Sequence, residues 1–317
     1  MEQKKVTIVG AGMMGCGIAA VAALAGHKVC LVSRTMQSAL AGQKKAMDCI
    51  NELVINGLAD SSLEAQAKAS VEVSDSLEDA VKDAFIVIEA IYEKMEPKQE
   101  LFARLDELLP ADVPICSNTS GLLITEIAAK VKKHPERTMI AHFWLPGHLI
   151  PLVEVVMWEK TDESLALSVM DELTAWGKAP VLIRKDLPGQ LANRMYQAMI
   201  REAVNIVKTG LASPEDVDTS IKKGIGVRLP AWGPLEHIDA VGLDLCLSVQ
   251  ESVLPGISKE EGNEYMKELV NSGKTGYKSK HGIYDWTKKD MDSLLKRRNE
   301  YIIYALKKLQ EWKVENK

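Results

Sequence analysis

Two polar residues stand inside runs that are otherwise apolar: His142, which closes Met139-Ile140-Ala141, and Glu154, inside Pro151-Leu152-Val153-Glu154-Val155-Val156. Imidazole titrates near neutral pH, so a histidine at the carboxyl end of a strand suits a general base, for example one that takes the proton of a secondary alcohol as a hydride leaves. A carboxylate on an apolar strand is costly unless it is paired. Two such strands joined by a hairpin-like connection bring Glu154 within reach of His142, where it would fix the imidazole tautomer and stabilise imidazolium. The alternatives are a satisfied core histidine and a carboxylate that caps a helix or accepts from backbone. The other histidines weighed are set in different surroundings: His27 in a Gly-His turn, His134 in Lys-Lys-His-Pro-Glu-Arg and His281 in a second basic loop.

The second feature with chemistry in it is Val6-Thr7-Ile8-Val9-Gly10-Ala11-Gly12-Met13-Met14-Gly15, an apolar strand that runs into G-x-G-x-x-G and an alanine-rich helix. Gly10 permits the tight turn, Gly12 lets a pyrophosphate approach the backbone and Gly15 lets helix and strand pack closely; the N–H groups of Met13 and Met14 open the helix toward the anion. A dinucleotide cofactor follows from the strand, loop and helix together. The second strand ends in Val32-Ser33-Arg34-Thr35, where NAD enzymes usually carry an acid for the ribose hydroxyls. Ser33, Arg34 and Thr35 can each donate to a 2′-phosphate, so NADP is favoured, with NAD the alternative if Arg34 is only a solvated charge.

The elements that must position these groups read as α/β: a Rossmann-type, doubly wound, mainly parallel sheet over residues 1–185, followed by an all-α C-terminal dimerisation domain over 186–317. The strands are read at Val6–Val9, Lys28–Val32, Val71–Val73, Phe85–Glu89, Pro114–Ser117, Thr138–His142, Leu152–Met157 and Pro180–Ile183. A helical pair is inserted at about 37–69, a long helical pattern runs from Pro188 to Thr209, and Ser213-Pro214 starts another helix. A helical tail occupies about 287–317; from Trp286 to Lys317 nine Lys/Arg face five Asp/Glu, interleaved as on a solvated helix. A length of 317 residues with 46% apolar and 26% charged residues fits two globular domains. Net charge −5 argues against nucleic acid as a partner. Five cysteines without a C-x-x-C pair fit reduced thiols in a cytoplasmic protein, and no metal site or membrane span is expected.

Several spaced motifs together resemble the L-3-hydroxyacyl-CoA dehydrogenase family and its free-acid branch, the L-gulonate 3-dehydrogenase (lambda-crystallin) and carnitine dehydrogenases. They are Glu89-Ala90-Ile91-Tyr92-Glu93 with Lys98, Ser117-Asn118-Thr119-Ser120, His142 with Glu154, Pro188-Gly189 leading to Asn193-Arg194, Gly233-Pro234-Leu235-Glu236, and Gly282-Ile283-Tyr284-Asp285-Trp286. The resemblance implies a nicotinamide-dependent dehydrogenase with His142 and Glu154 as base and partner. It adds Ser120 and Asn193 facing the reacting oxygen, otherwise a turn serine and a helix-start amide. It also places Ala90, Glu93, Lys98 and Asn118 at the cofactor; Glu93 and Lys98 would otherwise pass as surface charges. A homodimer is the implied partner state.

The chain departs from the acyl-CoA pattern His-x-x-Asn-Pro, reading His142-Phe143-Trp144-Leu145-Pro146. Gly226-Val227-Arg228-Leu229-Pro230-Ala231-Trp232 is similar to a Gly-x-Arg stretch of the free-acid branch. These departures make a compact β-hydroxy (β-keto) acid the first substrate expectation, with Arg228 for its carboxylate and Trp144 or Trp232 shaping the pocket. The alternatives are a 3-hydroxyacyl-CoA used with NAD, and non-catalytic reuse of the fold. Arg228 has its own alternative, an acid across a dimer interface.

Overall fold

The structure is a computed structural model that describes residues 3–315, with side chains through Trp312. The chain forms two compact units, one ending at Ala192 and the other beginning at Asn193. In chain order the first contains β1 (Lys5–Val9), α1 (Met13–Leu24), β2 (Lys28–Val32), α2 (Met36–Ile55), α3 (Glu64–Ala69), β3 (Val71–Ser74), α4 (Leu77–Val81), β4 (Ala84–Glu89) and α5 (Met95–Leu108). It continues with β5 (Ile115–Ser117), α6 (Ile124–Ile127), β6 (Thr138–Phe143), β7 (Leu152–Val156), α7 (Glu163–Ala175) and β8 (Ala179–Ile183).

The eight strands form one sheet in the order β3-β2-β1-β4-β5-β6-β7-β8. All neighbours are parallel except β6 and β7. Parallel strands covered on both faces must be apolar along their length, and Val6, Ile8, Ile88, Ile115, Met139 and Ile140 are fully buried. The chain direction across the sheet reverses between β1 and β4, and such a switch point opens a crevice at the carboxyl ends of the strands. Val9, Glu89, Ser117 and Phe143 all end at that edge.

Helix α1 is apolar all round because it is sandwiched, with Ile18, Ala19, Ala20 and Ala22 wholly buried. Helices α2 and α3, with a short 3₁₀ turn at Ser61–Leu63, fill the inserted segment between β2 and β3. The entry into β6 is pinned from below by Arg137, which is fully buried. Its guanidinium bonds Asp106 Oδ1 at 2.9 Å and the carbonyls of Asp106 and Leu109 at 3.1 Å. The Asp106 carboxylate also accepts from the N–H groups of Lys132, Lys133 and His134, so the whole approach to the strand that carries His142 is fixed to the end of α5.

The second unit holds α8, which begins at Ala192 and runs to Lys208, then α9 (Pro214–Ser220), α10 (Pro234–Val241), α11 (Leu243–Val253), α12 (Glu264–Asn271) and α13 (Met291–Glu315). Ser213 caps α9 through the Asp216 N–H, with Pro214 in its first turn. A π-helical turn at Ile221–Ile225 ends in the loop that carries Arg228. Backbone bridges at Gly276–His281 and His281–Asp285 close a compact loop around Gly282-Ile283-Tyr284. Residues 316 and 317 of the basic tail lie outside the described residues. No helix among the described residues is long and apolar enough to cross a membrane, and no group of three His, Cys, Asp or Glu there could hold a metal. All five thiols are free.

Candidate active site

The antiparallel register of β6 and β7 sets His142 directly opposite Glu154, so both side chains leave the same face of the sheet. His142 Nδ1 lies 2.8 Å from Glu154 Oε2, and Glu154 is fully buried. Three more donors surround that carboxylate: Trp144 Nε1 at 3.0 Å on Oε2, and the Leu191 and Ala192 N–H groups at 2.9 and 2.8 Å on Oε1. Burial alone would raise the Glu154 pKa; the bonds from His142, Ala192, Trp144 and Leu191 outweigh it and hold the carboxyl near 2, against a usual 4.5. An acceptor-only carboxylate requires Nδ1 to carry its proton, which leaves Nε2 as the basic nitrogen.

A second buried carboxylate organises the neighbouring loops. Glu89, wholly buried at the end of β4, accepts from Lys98 Nζ at 2.6 Å and the Ile91 N–H at 2.8 Å through Oε1, and from Ser117 Oγ at 2.6 Å through Oε2. Lys98 is 1% exposed and also reaches Glu93 Oε2 at 3.2 Å, so its surface-charge alternative is corrected: it is an internal cation held between two acids. Glu93 Oε1 in turn accepts from Thr119 Oγ1 at 2.5 Å and from the Ser120 and Gly121 N–H groups at 3.1 and 3.2 Å. Burial pulls the Glu93 carboxyl up, but the Thr119 hydroxyl and Lys98 outweigh it and leave it below its ordinary range. Asn118 Oδ1 receives the Phe143 N–H at 2.8 Å, tying this loop to the strand of His142. Glu89 opens the family motif that includes Lys98 but is assigned no role of its own there; like His142 it closes an apolar run, and Lys98 nine residues on is the partner that such a carboxylate demands.

The glycine loop lies beside these residues. Gly10 adopts φ +126°, and a Cβ there would stand 2.4 Å from the Ala90 carbonyl oxygen. A Cβ on Gly15 would stand 1.8 Å from the Gly10 carbonyl oxygen, so both positions are closed by the protein itself. Gly12 differs, for a Cβ there meets nothing within 4 Å. No side chain caps α1, whose first-turn N–H groups open onto that space, with Met13 69% exposed beside it. An uncapped helix N-terminus behind an open glycine fits a pyrophosphate.

At the end of β2 the Ser33 N–H donates to the Ser74 carbonyl at 3.1 Å, and the Arg34 guanidinium stands 6.0 Å from the Tyr92 ring centre. Thr35 lies at the N-cap of α2, its hydroxyl accepting from the Ser38 N–H at 3.2 Å and donating to Ser38 Oγ at 3.0 Å. Ser120 and Trp144 belong with His142 to the first unit. Asn193, Arg228 and Trp232 belong to the second; Arg228 is exposed and Trp232 stacks edge-on against His237 with ring centres 4.9 Å apart.

Two family models cover this chain. Residues 5–187 match the 3-hydroxyacyl-CoA dehydrogenase NAD binding domain, and residues 189–286 match the C-terminal domain of the same enzymes. The chain belongs to the 3-hydroxyacyl-CoA dehydrogenase family. It is 31% identical over 309 residues to the 5-formyl-3-hydroxy-2-methylpyridine 4-carboxylate 5-dehydrogenase of Mesorhizobium japonicum, spanning 97% of this chain and 98% of that one. It is 38% identical over 294 residues to a probable 3-hydroxybutyryl-CoA dehydrogenase of Bacillus subtilis, 91% and 99% of the two chains. A solved structure of a pyridine-carboxylate 5-dehydrogenase, described as an NAD⁺-dependent dismutase, overlays with a TM-score of 0.89 at 30% identity over 97% of this chain and 99% of that one. The (S)-3-hydroxybutyryl-CoA dehydrogenase of Ralstonia eutropha gives 0.73 at 32% identity over 89% and 99%. As a 3-hydroxyacyl-CoA dehydrogenase family member, the chain is an oxidoreductase of CH–OH groups with an NAD-binding domain.

The difference between the closed and open glycines gives a direct test. Gly12→Ala should leave the melting temperature within about 2 °C of wild type and weaken NAD binding by about tenfold or more, the worth of roughly 1.4 kcal/mol. Gly15→Ala should instead destabilise the fold itself. Titration of cofactor fluorescence beside thermal unfolding separates the two; equal NAD affinity in wild type and Gly12→Ala would mean that no pyrophosphate lies over this loop.

Proposed function

We propose that this chain transfers a hydride at the 3-carbon of a compact β-hydroxy (β-keto) carboxylic acid, with His142 as general base and Glu154 as its orienting partner. The observation that carries the reading is the carboxylate of Glu154, ionised and saturated with donors, 2.8 Å from His142 Nδ1. In the oxidative direction Nε2 takes the hydroxyl proton, and the imidazolium formed is stabilised by a charge already in place. In the reductive direction the same nitrogen returns it. A nicotinamide bound beyond the Gly10–Gly15 loop would supply the hydride acceptor or donor. Ser120 would hold the substrate oxygen, and the Glu89–Lys98–Glu93 chain keeps the 90–98 and 117–121 loops in place.

A free acid is favoured over a thioester by Leu145 in place of an amide, by Arg228 as a carboxylate ligand, and by the likeness over nearly the whole chain to an enzyme named for a carboxylate. The second reading, a 3-hydroxyacyl-CoA used with NAD, is supported by the Bacillus likeness and by Gly282-Ile283-Tyr284-Asp285-Trp286. The second unit pairs two copies: Leu243, Leu245, Leu247, Val249 and Val253 of α11 are each more than half exposed, a surface that wants cover. A monomer by light scattering would remove that part. NADP preference over NAD rests on Ser33 and Arg34 alone.

His142→Ala should lower kcat by roughly 10²–10⁴ with little change in cofactor affinity. The assay is a panel of free β-hydroxy acids beside 3-hydroxybutyryl-CoA, each with NAD and NADP. Retention of more than about half the wild-type kcat would exclude His142 as the base. A thioester far better than every free acid, with kinetics indifferent to Arg228→Met, would establish the acyl-CoA reading instead.

Cofactor choice is read from the same panel. Wild type should use NADP with the higher kcat/KM, the margin shrinking as salt screens Arg34, and Ser33→Asp should swing it toward NAD. A wild type at least about tenfold better with NAD, a difference of roughly 1.4 kcal/mol, would show that Arg34 holds no phosphate.

A further inference from the structure

The turn that joins β6 to β7 encloses a cation which the mechanism above does not use. Lys178, just before β8, is 7% exposed, and its Nζ donates to the carbonyls of Gly147 at 2.8 Å, Ile150 at 2.9 Å and His148 at 3.3 Å. No carboxylate among the described residues pairs with it. The same turn is pressed onto the helix behind the glycine loop. A Cβ on Gly17 of α1 would come within 3.0 Å of the His148 nitrogen and 3.2 Å of Gly147 Cα. His148 Nε2 reaches Glu52 Oε2 of α2 at 2.9 Å, and at the turn's start Trp144 bonds the carboxylate that orients His142.

We propose that Lys178 is a positioning residue for the hydride transfer: its ammonium gathers three carbonyls of the 147–150 turn and so holds Trp144 and Glu154 in one arrangement. Three carbonyls converging on one buried point repel each other unless a donor faces each, and an ammonium has three. A neutral amine has two N–H groups and a lone pair, so its deprotonation leaves one carbonyl without a partner. Burial pushes the Lys178 pKa down to about 7, so this loss falls inside the working pH range. The titratable groups facing it are His148 on the turn and, through it, Glu52; burial lowers the His148 pKa, Glu52 raises it and Lys178 lowers it. The sign is fixed: the turn is fully held below about pH 7 and loosens as pH rises through that value.

The proposal rests on the dehydrogenase reading, and the test separates the two. The kcat/KM of the wild type, assayed with whichever panel substrate it oxidises, should fall above neutral pH. Lys178→Arg keeps its charge and should abolish the fall. Lys178→Met should lower kcat by about tenfold to a hundredfold at pH 6.5, the cost of a small misplacement, leave NAD affinity within about threefold, and also abolish the fall. Wild type silent toward every β-hydroxy compound would overturn the reaction reading and this one with it. An active wild type whose Lys178 variants keep its rate and its pH profile would overturn this proposal alone. If neither variant folds, the wild-type profile decides, and a plateau to pH 9 overturns it.

Discussion

One buried carboxylate constrains this structure more than any other group. Glu154 sits on a strand whose other residues are apolar, and an ionised carboxyl there is tolerable only because donors from three separate segments converge on it. The strand of His142 supplies one, the turn after it a second, and the Leu191 and Ala192 N–H groups the other two. Removing any of these partners would leave part of the charge uncompensated, so the strand pair, the turn and the helix start are coupled. The antiparallel direction of β7 follows from the same need. A parallel β7 would begin at the opposite edge of the sheet and carry its second polar residue away from the crevice; running back, it brings Glu154 opposite His142 at the edge where Val9 and Glu89 end.

Glu89 repeats the device one strand-pair away. It closes an apolar strand and is answered by an internal ammonium, a backbone N–H and a hydroxyl. One carboxylate keeps a histidine in its useful tautomer; the other keeps two loops in register beside the glycine turn. The apolar interior of the sheet gives both bonds their strength and makes either acid expensive if left alone.

Much of this was legible in the sequence, for identifiable reasons. Strands buried on both faces read as short apolar runs between glycine and polar punctuation, and the eight expected strands match those observed to within a residue or two at each end. His142 and Glu154 were visible because polar residues on such runs are conspicuous. The burial of Lys98 and Lys178 was not, since a lysine in a helix or before a strand looks solvated; Lys98 was marked only by the family motif, and the 147–150 turn that encloses Lys178 lies about 30 residues away in the chain. Thr35 was legible only as a ligand donor, and its place as the cap of α2 was missed, although a hydroxyl just before a helix is the usual mark of one. A cap needs only local backbone, so it forms whether or not a ligand is present.

The magnitudes separate what makes the reaction from what selects its substrate. A general base with its carboxylate is worth roughly 10²–10⁴ in rate, whereas a single neutral hydrogen bond contributes about 0.5–1.5 kcal/mol, at most about tenfold. Leu145, about half exposed directly after Trp144, stands where acyl-CoA members carry an amide. Its loss is therefore compatible with an intact proton transfer, because His142 is held from the Nδ1 side by Glu154. The buried pair is held from within the sheet, whereas Leu145 on the turn and Arg228 in the loop that follows the π-helical segment are exposed. Because these positions carry none of the load of the buried carboxylates, they can change without disturbing the His142–Glu154 pair.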